Sequence, residues 1–522
     1  MKPAKRVAIN TGILYARMAI TMFISLYSTR LILAALGAED FGIFNLVGGT
    51  IAMLTFLNVA MAGATQRFMS YAEGEGDIQK QKNIFNVSVL LHFLIAIIVI
   101  ILLEIVGYFL FKGILKIPDE RIGIAKIIYQ FMLVSTFFTI ISVPYDAVIN
   151  AHENMLLVAI LGVVEAVSKL GIAFFVTYTS YDKLGSYGLF MALLAIFLLI
   201  VRRIYCHKKY EEVSINIRKY YSKPLFFEMT SFAGWSLLSS TASILTMQGI
   251  TVILNSFFGV VVNAAQGIAS QVSGQLMAFS NTMLKALNPV IVKSEGGNNR
   301  KQMLKASIVG NKISFFLITF MSIPVIIEMP FIFGLWLKDV PDYAIVFCRL
   351  TLLGNAIEQL TVTFNTAIGA IGDIKRISFW NSIIYILLLP VSYLMFSLGA
   401  NPAAIYINLL FMFIGLFGMK VFYLKRLGGL SLKEFFMNGV IRSIAACALA
   451  FVAALIPLIF FDYGFFRLFF VIILNSIVYL ISFYLIGLTK SQKEMVHIMI
   501  NFVYEKVWLK GRKVIFSNKS LM

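Results

Sequence analysis

Apolar residues run in blocks of about 20 or more along nearly the whole chain, separated by short polar gaps. A block of that length, rising about 1.5 Å per residue as a helix, crosses the hydrocarbon core of a bilayer. The pattern predicts spans at about 10–36, 41–64, 84–110, 123–148, 157–178 and 185–205, and then a polar break. A second set follows at about 226–256, 261–289, 305–327, 342–370, 377–397 and 402–423, with two more near 437–461 and 464–487. An all-α integral membrane fold of about 14 transmembrane helices is therefore expected. The break between Arg202 and Lys223 is the most polar interior segment. It divides the chain into an N-lobe of six spans (1–205), a linker (206–224), a C-lobe of six spans (225–424), two extra spans (425–488) and a basic tail (489–522). In the tail, Val496, Met499, Ile500, Val503 and Val507 fall at helical spacing, which predicts an amphipathic helix on the inner leaflet.

The polar gaps alternate in charge. One set holds Lys2, Lys5, Arg6, Lys80, Lys82, the linker, Lys293, Arg300, Lys301, Lys375, Arg376, Lys425, Arg426, Lys433 and the basic tail after Lys490. The other holds little beyond Lys112, Lys116, Arg121, Lys183, Lys338 and Arg467. Because basic residues hold their gaps on the cytoplasmic face, the first set is expected inside, together with both termini. The two halves also look like repeats: an offset of 222 residues takes Gly37 to Gly259 and Glu73-Gly74 to Glu295-Gly296. Two six-span lobes in the same orientation imply a pseudo-two-fold axis along the membrane normal and a cavity between them.

Composition agrees. A chain that is 60% hydrophobic, with mean hydropathy +0.87, has no soluble core. Its net charge of +19 lies beside apolar spans, so it reads as topology and not as a nucleic-acid surface. Met1 to Arg6 resemble a signal n-region, but the apolar run that follows is too long and carries two arginines, so a retained first span is expected. Cys206, Cys348 and Cys447 form no metal or disulfide pattern, and His92, His152, His207 and His497 are scattered. No catalytic motif is visible, the reading is not an enzyme, and no cofactor or metal is implied. The gaps leave no room for a soluble ATPase, so any energy must come from the membrane potential or a H+ or Na+ gradient.

Charges inside spans are costly in lipid and are functional candidates by default. They are Arg17 and Arg30 in the first span, Glu104 in the third, Glu165 and Lys169 in the fifth, Lys285 in the eighth, and Arg349 and Glu358 in the tenth. Arg30, Glu104, Lys285 and Arg349 lie near predicted span ends, within snorkelling reach of the headgroups. Glu165 and Lys169 have the i,i+4 order of a same-helix ion pair, which leaves a structural pair and a cavity role both open. Arginine forks match phosphate oxygens, so Arg17 and Arg30 suit an anionic, phosphate-bearing cargo.

Several stretches carry a resemblance: Asn10-Thr11 with Tyr15, Arg17 and Met18; Ser-Leu-Tyr-Ser-Thr-Arg at 25–30; Leu-Gly-Ala-Glu-Asp-Phe-Gly-Ile-Phe-Asn at 36–45; Val-Pro-Tyr-Asp-Ala-Val-Ile-Asn-Ala-His-Glu-Asn-Met at 143–155. The second half adds Phe257-Phe258-Gly259, Asn263-Ala264-Ala265, Gly267-Ile268-Ala269 and Asn288-Pro289 with Lys293-Ser294. The chain resembles the Wzx-type polysaccharide flippases of the multidrug/oligosaccharidyl-lipid/polysaccharide exporter superfamily. The resemblance places 143–155 in the loop after the fourth span. It implies translocation of an undecaprenyl-diphosphate-linked oligosaccharide from the inner to the outer leaflet of the bacterial cytoplasmic membrane, for O-antigen or other surface polysaccharide, with polymerase machinery as a partner. It further implies that Arg17 and Arg30 contact the diphosphate, that Lys285, Arg349 and Lys169 belong to the substrate site, and that Glu165 and Glu358 bind glycan, pair or couple to an ion. Val290 stands where many relatives carry Gln, and the first span has no carboxylate of the kind drug exporters use. A lipid II flippase and a cation-coupled multidrug exporter on the same fold are the alternatives.

Overall fold

The computed structural model describes residues 3–494 and 496, except 55, 115, 116 and 338. The described residues are helical nearly throughout and contain no strand. Twelve of these helices are long and apolar enough to cross a membrane. In chain order they are spans 1 (Arg6–Gly37), 3 (Ile78–Lys112), 4 (Asp119–Ala151), 5 (Met155–Tyr178), 6 (Lys183–Lys209), 7 (Lys223–Gly259), 9 (Arg300–Trp336), 10 (Ala344–Ile371), 11 (Ile374–Ser397), 12 (Ala404–Gly428), 13 (Leu432–Phe460) and 14 (Phe465–Gly487). Two further helical stretches, 38–75 and 260–296, are similar in length but more polar, and as spans 2 and 8 they complete the fourteen. Both pack against protein across the lobe interface, and a helix covered on one side need not be apolar all round. The predicted tail helix lies almost wholly outside the described residues, as do Lys116, Lys338 and His497.

The repeat is visible in the backbone. Span 1 turns into span 2 at Gly37 (φ 76°, ψ 171°), and span 7 turns into span 8 at Gly259 (φ 78°, ψ −172°). That region of conformational space is essentially closed to residues with a Cβ, so glycine at both positions is what lets each helix pair hinge at the same place.

Contacts sort the gaps as the charge pattern predicts. At one end Lys82 pairs with Glu211 (2.9 Å), Arg6 with Glu153 (3.3 Å) and Lys293 with Glu73 (2.9 Å), while Arg300 donates to Leu427 O and Lys305 to Ser491. At the other, Arg121 bridges Asp40 and Asp182 from the heads of spans 2 and 6. The first is the basic end. There the apolar clusters draw on both lobes: Met229 and Ala233 pack with Phe68, Phe85 and Tyr145, and Leu14 and Met155 meet Ala286. At the other end each lobe has its own core, one around Val47, Leu103 and Ile128, the other around Leu254, Phe333 and Phe347. The lobes are joined at the basic end and separately cored at the opposite one, which leaves a cleft between them.

Span 9 is bent and braced. Pro324 and Pro330 cannot donate to the carbonyls four residues back, Phe320 O and Ile326 O. Asn475 of span 14 donates to the first (3.1 Å) and Arg349 of span 10 to the second (2.9 Å). Between the prolines, Glu328 leaves helical geometry and accepts both arms of Arg467 (2.8 and 2.9 Å) at a fully buried site. Lys312, also buried, donates to Gly487 O (2.7 Å) and Gln492 (3.0 Å) at the end of span 14. Spans 13 and 14 are thereby fastened to the C-lobe.

Some expectations are corrected. The stretch 143–155 is helical as far as Ala151, so the loop shrinks to His152–Asn154. Pro144 falls inside a helix that tolerates it. Span 6 continues to Lys209 and absorbs His207, Lys208 and Lys209 from the expected linker. Arg467, counted with the outer gaps, lies in the first turn of span 14, within the stretch predicted at 464–487.

Candidate functional site

Span 1 enters beside the second lobe. The Tyr15 hydroxyl donates to Phe279 O (2.8 Å), and Thr282 donates to the Met18 sulfur (3.4 Å). Arg17, two residues after Tyr15 and next to Met18, is set at the lobe interface. Its guanidinium lies against Gly162 of span 5, where an added Cβ would come within 2.2 Å of the Arg17 Nε. A glycine there leaves the fork room to lie flat. Lys285 approaches from span 8 of the other lobe, and Arg17 is within electrostatic reach of both Lys285 and Asp146.

Two ion pairs frame these cations. Asp146 of span 4 accepts from Arg202 of span 6 (2.8 Å), and Glu165 accepts from Lys169 (2.7 Å) on span 5. The side chains of Asp146, Glu165 and Lys169 are 40%, 37% and 40% exposed, so they border open space. Among the described residues neither Arg17 nor Lys285 makes an ion pair. Each carboxylate near the cleft has its own cation, which leaves Arg17 and Lys285 over. Two unmatched cations drawn from opposite lobes make a site suited to an anion with several oxygens.

The other sequence-named residues are dispersed. Arg30 is exposed, about 20 Å along the helix from Arg17, so one small headgroup would not reach both. Arg349 spends its Nε on the carbonyl freed by Pro330. Glu104 is exposed beside Gln130 (3.4 Å). Glu358 lies in the C-lobe within electrostatic reach of Lys420 and Tyr385. The sequence reading missed Asp146 and Arg67 and did not weigh Lys312, Glu328 or Lys420. The signal for Asp146 was a carboxylate one helical period from buried Ser142 and Ile149, hidden by the proline beside it. Among the described residues no group of His, Cys, Asp and Glu could hold a metal ion.

Residues 15–175 match the MatE family model. No curated protein matches the chain. Among solved structures the chain is similar to a mutant MATE (TM-score 0.69, 14% identity, covering 82% of this chain and 98% of that one). It is also similar to a multidrug resistance MATE family transporter of the MOP superfamily in its outward-facing conformation (TM-score 0.67, 13% identity, 82% and 97% covered). A third is a MOP superfamily transporter from Pyrococcus furiosus, described as having a binding pocket of reverse polarity that suggests a different function (TM-score 0.67, 13% identity, 82% and 97% covered).

Proposed function

From the MATE transporter fold of the MOP superfamily as premise, we propose that this multi-pass membrane protein is a flippase for an undecaprenyl-diphosphate-linked oligosaccharide in the bacterial cytoplasmic membrane, with its basic end in the cytoplasm. The observation that carries the reading is the cation pair Arg17 and Lys285, one from each lobe and neither matched by a carboxylate among the described residues. A diphosphate cannot cross hydrocarbon unaided. Charged donors from both lobes would replace its hydration, while the polyprenyl tail stays in lipid at the lobe seam. Alternating access then carries the headgroup across, since an anion bound by both lobes favours whichever state brings its two cations closest. Asp146 and Glu165 hold Arg202 and Lys169 in place and line the glycan's path, and Glu358 is the acid proposed to couple transport to H+ or Na+.

The test is complementation of a strain that lacks its own flippase. Arg17→Ala and Lys285→Ala each abolish surface glycan at normal protein level; full display with either removes the diphosphate assignment. The fold is shared with a multidrug resistance transporter, which gives the second reading. Drug export would appear as lost drug resistance in Glu358→Gln with glycan display unchanged.

A further inference from the structure

The basic end is held shut by a backbone contact that repeats across the pseudo-two-fold and by cations placed around it. Spans 2 and 8 meet backbone to backbone: a Cβ added to Gly74 would fall 2.1 Å from Lys293 O, and one added to Gly296 would fall 2.1 Å from Tyr71 O. These two glycines are the pair related by the sequence repeat. Around them each lobe sends one cation into the other. Arg67 of span 2 donates to Gly369 O (3.1 Å) and Ala370 O (3.0 Å), carbonyls in the last turn of a helix in span 10, where the helix dipole favours positive charge. Its guanidinium also faces the rings of Phe68, Tyr71 and Phe232 at 4.6, 5.0 and 5.4 Å. In return Lys293 of span 8 reaches Glu73 (2.9 Å) and Glu153 (3.9 Å) in the first lobe. Glu153 lies in the loop His152–Asn154, and Gly369 and Ala370 lie just before the loop Gly372–Asp373, so both cations reach the end of the fourth span of the opposite lobe.

The loop at His152 is itself held rigid. Glu153 takes a left-handed backbone (φ 55°), is buried, and accepts from Asn10 at its carbonyl (3.0 Å) and from Arg6 at its carboxylate (3.3 Å). His152 stacks on Tyr210 (4.3 Å between centroids) and joins Glu73 (3.3 Å) to Glu212 (2.6 Å). Span 2, the loop after span 4, the linker and span 8 thus share one charge network.

We infer that these contacts form the inner gate: a reciprocal clasp in which Arg67 and Lys293 each lock the opposite lobe and Gly74 and Gly296 let the two backbones close on one another. This rests on the alternating-access part of the proposed function and not on its cargo. A chain closed here and cleft at the other end is the outward-facing state, and admitting cargo from the basic side requires both cations to let go. The duplication explains the close backbone contact, since Gly74 and Gly296 are equivalent positions, while the two cations were added separately: the same offset takes Arg67 to Pro289 and Lys293 to Tyr71.

The experiment reads access from the basic side. In a chain whose Cys206, Cys348 and Cys447 are replaced by alanine, Thr282→Cys places one thiol at the lobe interface, and inside-out vesicles are treated with a membrane-impermeant maleimide. Arg67→Ala/Lys293→Ala raises the labelling rate about tenfold, as the closed state loses population. Gly74→Ala, which retains every charge, moves it in the same direction by forcing the backbones apart. Unchanged labelling in both variants, each eluting as a folded species in detergent, overturns the gate. Faster labelling in a protein that moves no sugar-linked lipid leaves the gate standing and removes only the cargo reading.

Discussion

The charges of the cleft and the charges of span 9 are alike in sequence and opposite in use. Around span 9, Glu328, Arg467, Lys312 and Arg349 sit within bilayer-length helices, yet each is spent inside its own bundle on a partner or on a backbone carbonyl. Beside the cleft, Arg17 and Lys285 have nothing comparable, and the neighbouring acids are engaged by Arg202 and Lys169. An intramembrane charge is thus informative when its own lobe leaves it unsatisfied, and burial alone does not separate the two classes.

Breaking the braced set should unfold the protein. Glu328→Ala takes the carboxylate from a largely buried Arg467 guanidinium and is expected to remove about 3 kcal/mol of stability, measured as loss of folded protein on thermal challenge in detergent. Breaking the cleft set should leave folding alone. Arg17→Ala is expected to weaken binding of a polyprenyl diphosphate by roughly 1.5–3 kcal/mol, read by calorimetry, with no change in melting temperature. Asn475→Leu uncovers Phe320 O and should lower stability by about 1–3 kcal/mol with cargo binding unaltered. If Arg17→Ala destabilises the fold as strongly as Glu328→Ala, the distinction fails.

His152 sharpens the contrast through pH. Burial alone would lower its pKa, but the carboxylates of Glu212 and Glu73 raise it to about 9. A raised histidine contributes fully below its ordinary value of about 6.5 and loses that contribution as pH climbs through about 9. Glu73, Glu212 and Tyr210 face it directly, with Lys293, Glu153 and Arg6 behind. Access from the basic side should therefore rise between pH 8 and 10, measured by labelling with a methanethiosulfonate, and His152→Gln should flatten that profile. A smaller effect is expected from Lys169→Met. The Glu165 pair is half exposed, so its loss should change stability by less than about 1 kcal/mol, and Glu165→Gln/Lys169→Met should behave like the single change if the pair is only structural.

Much of the architecture was legible because a bilayer imposes length and charge rules on every span. The gap alternation and the fourteen helices follow from such rules, and the Gly37/Gly259 repeat was legible because only glycine takes the backbone both hinges need. The site was less legible because it depends on helix ends. Lys312, Glu328 and Lys420 fell at the predicted margins of spans 9 and 12, where snorkelling explains a charge, but the helices run on to Arg300–Trp336 and Ala404–Gly428 and carry them inside. The clasp was half visible: the Glu-Gly repeat was seen, but nothing in one strand of sequence says that two related glycines press against each other.

The fastening of the last two helices to bent span 9 makes the C-terminal hairpin an outrigger. Three separate grips, at Phe320, Glu328 and Gly487, leave it no freedom to swivel on its own. A fluorophore or antibody fragment attached at its turn, 461–464, would consequently move with the C-lobe as one body and report any tilt of that lobe.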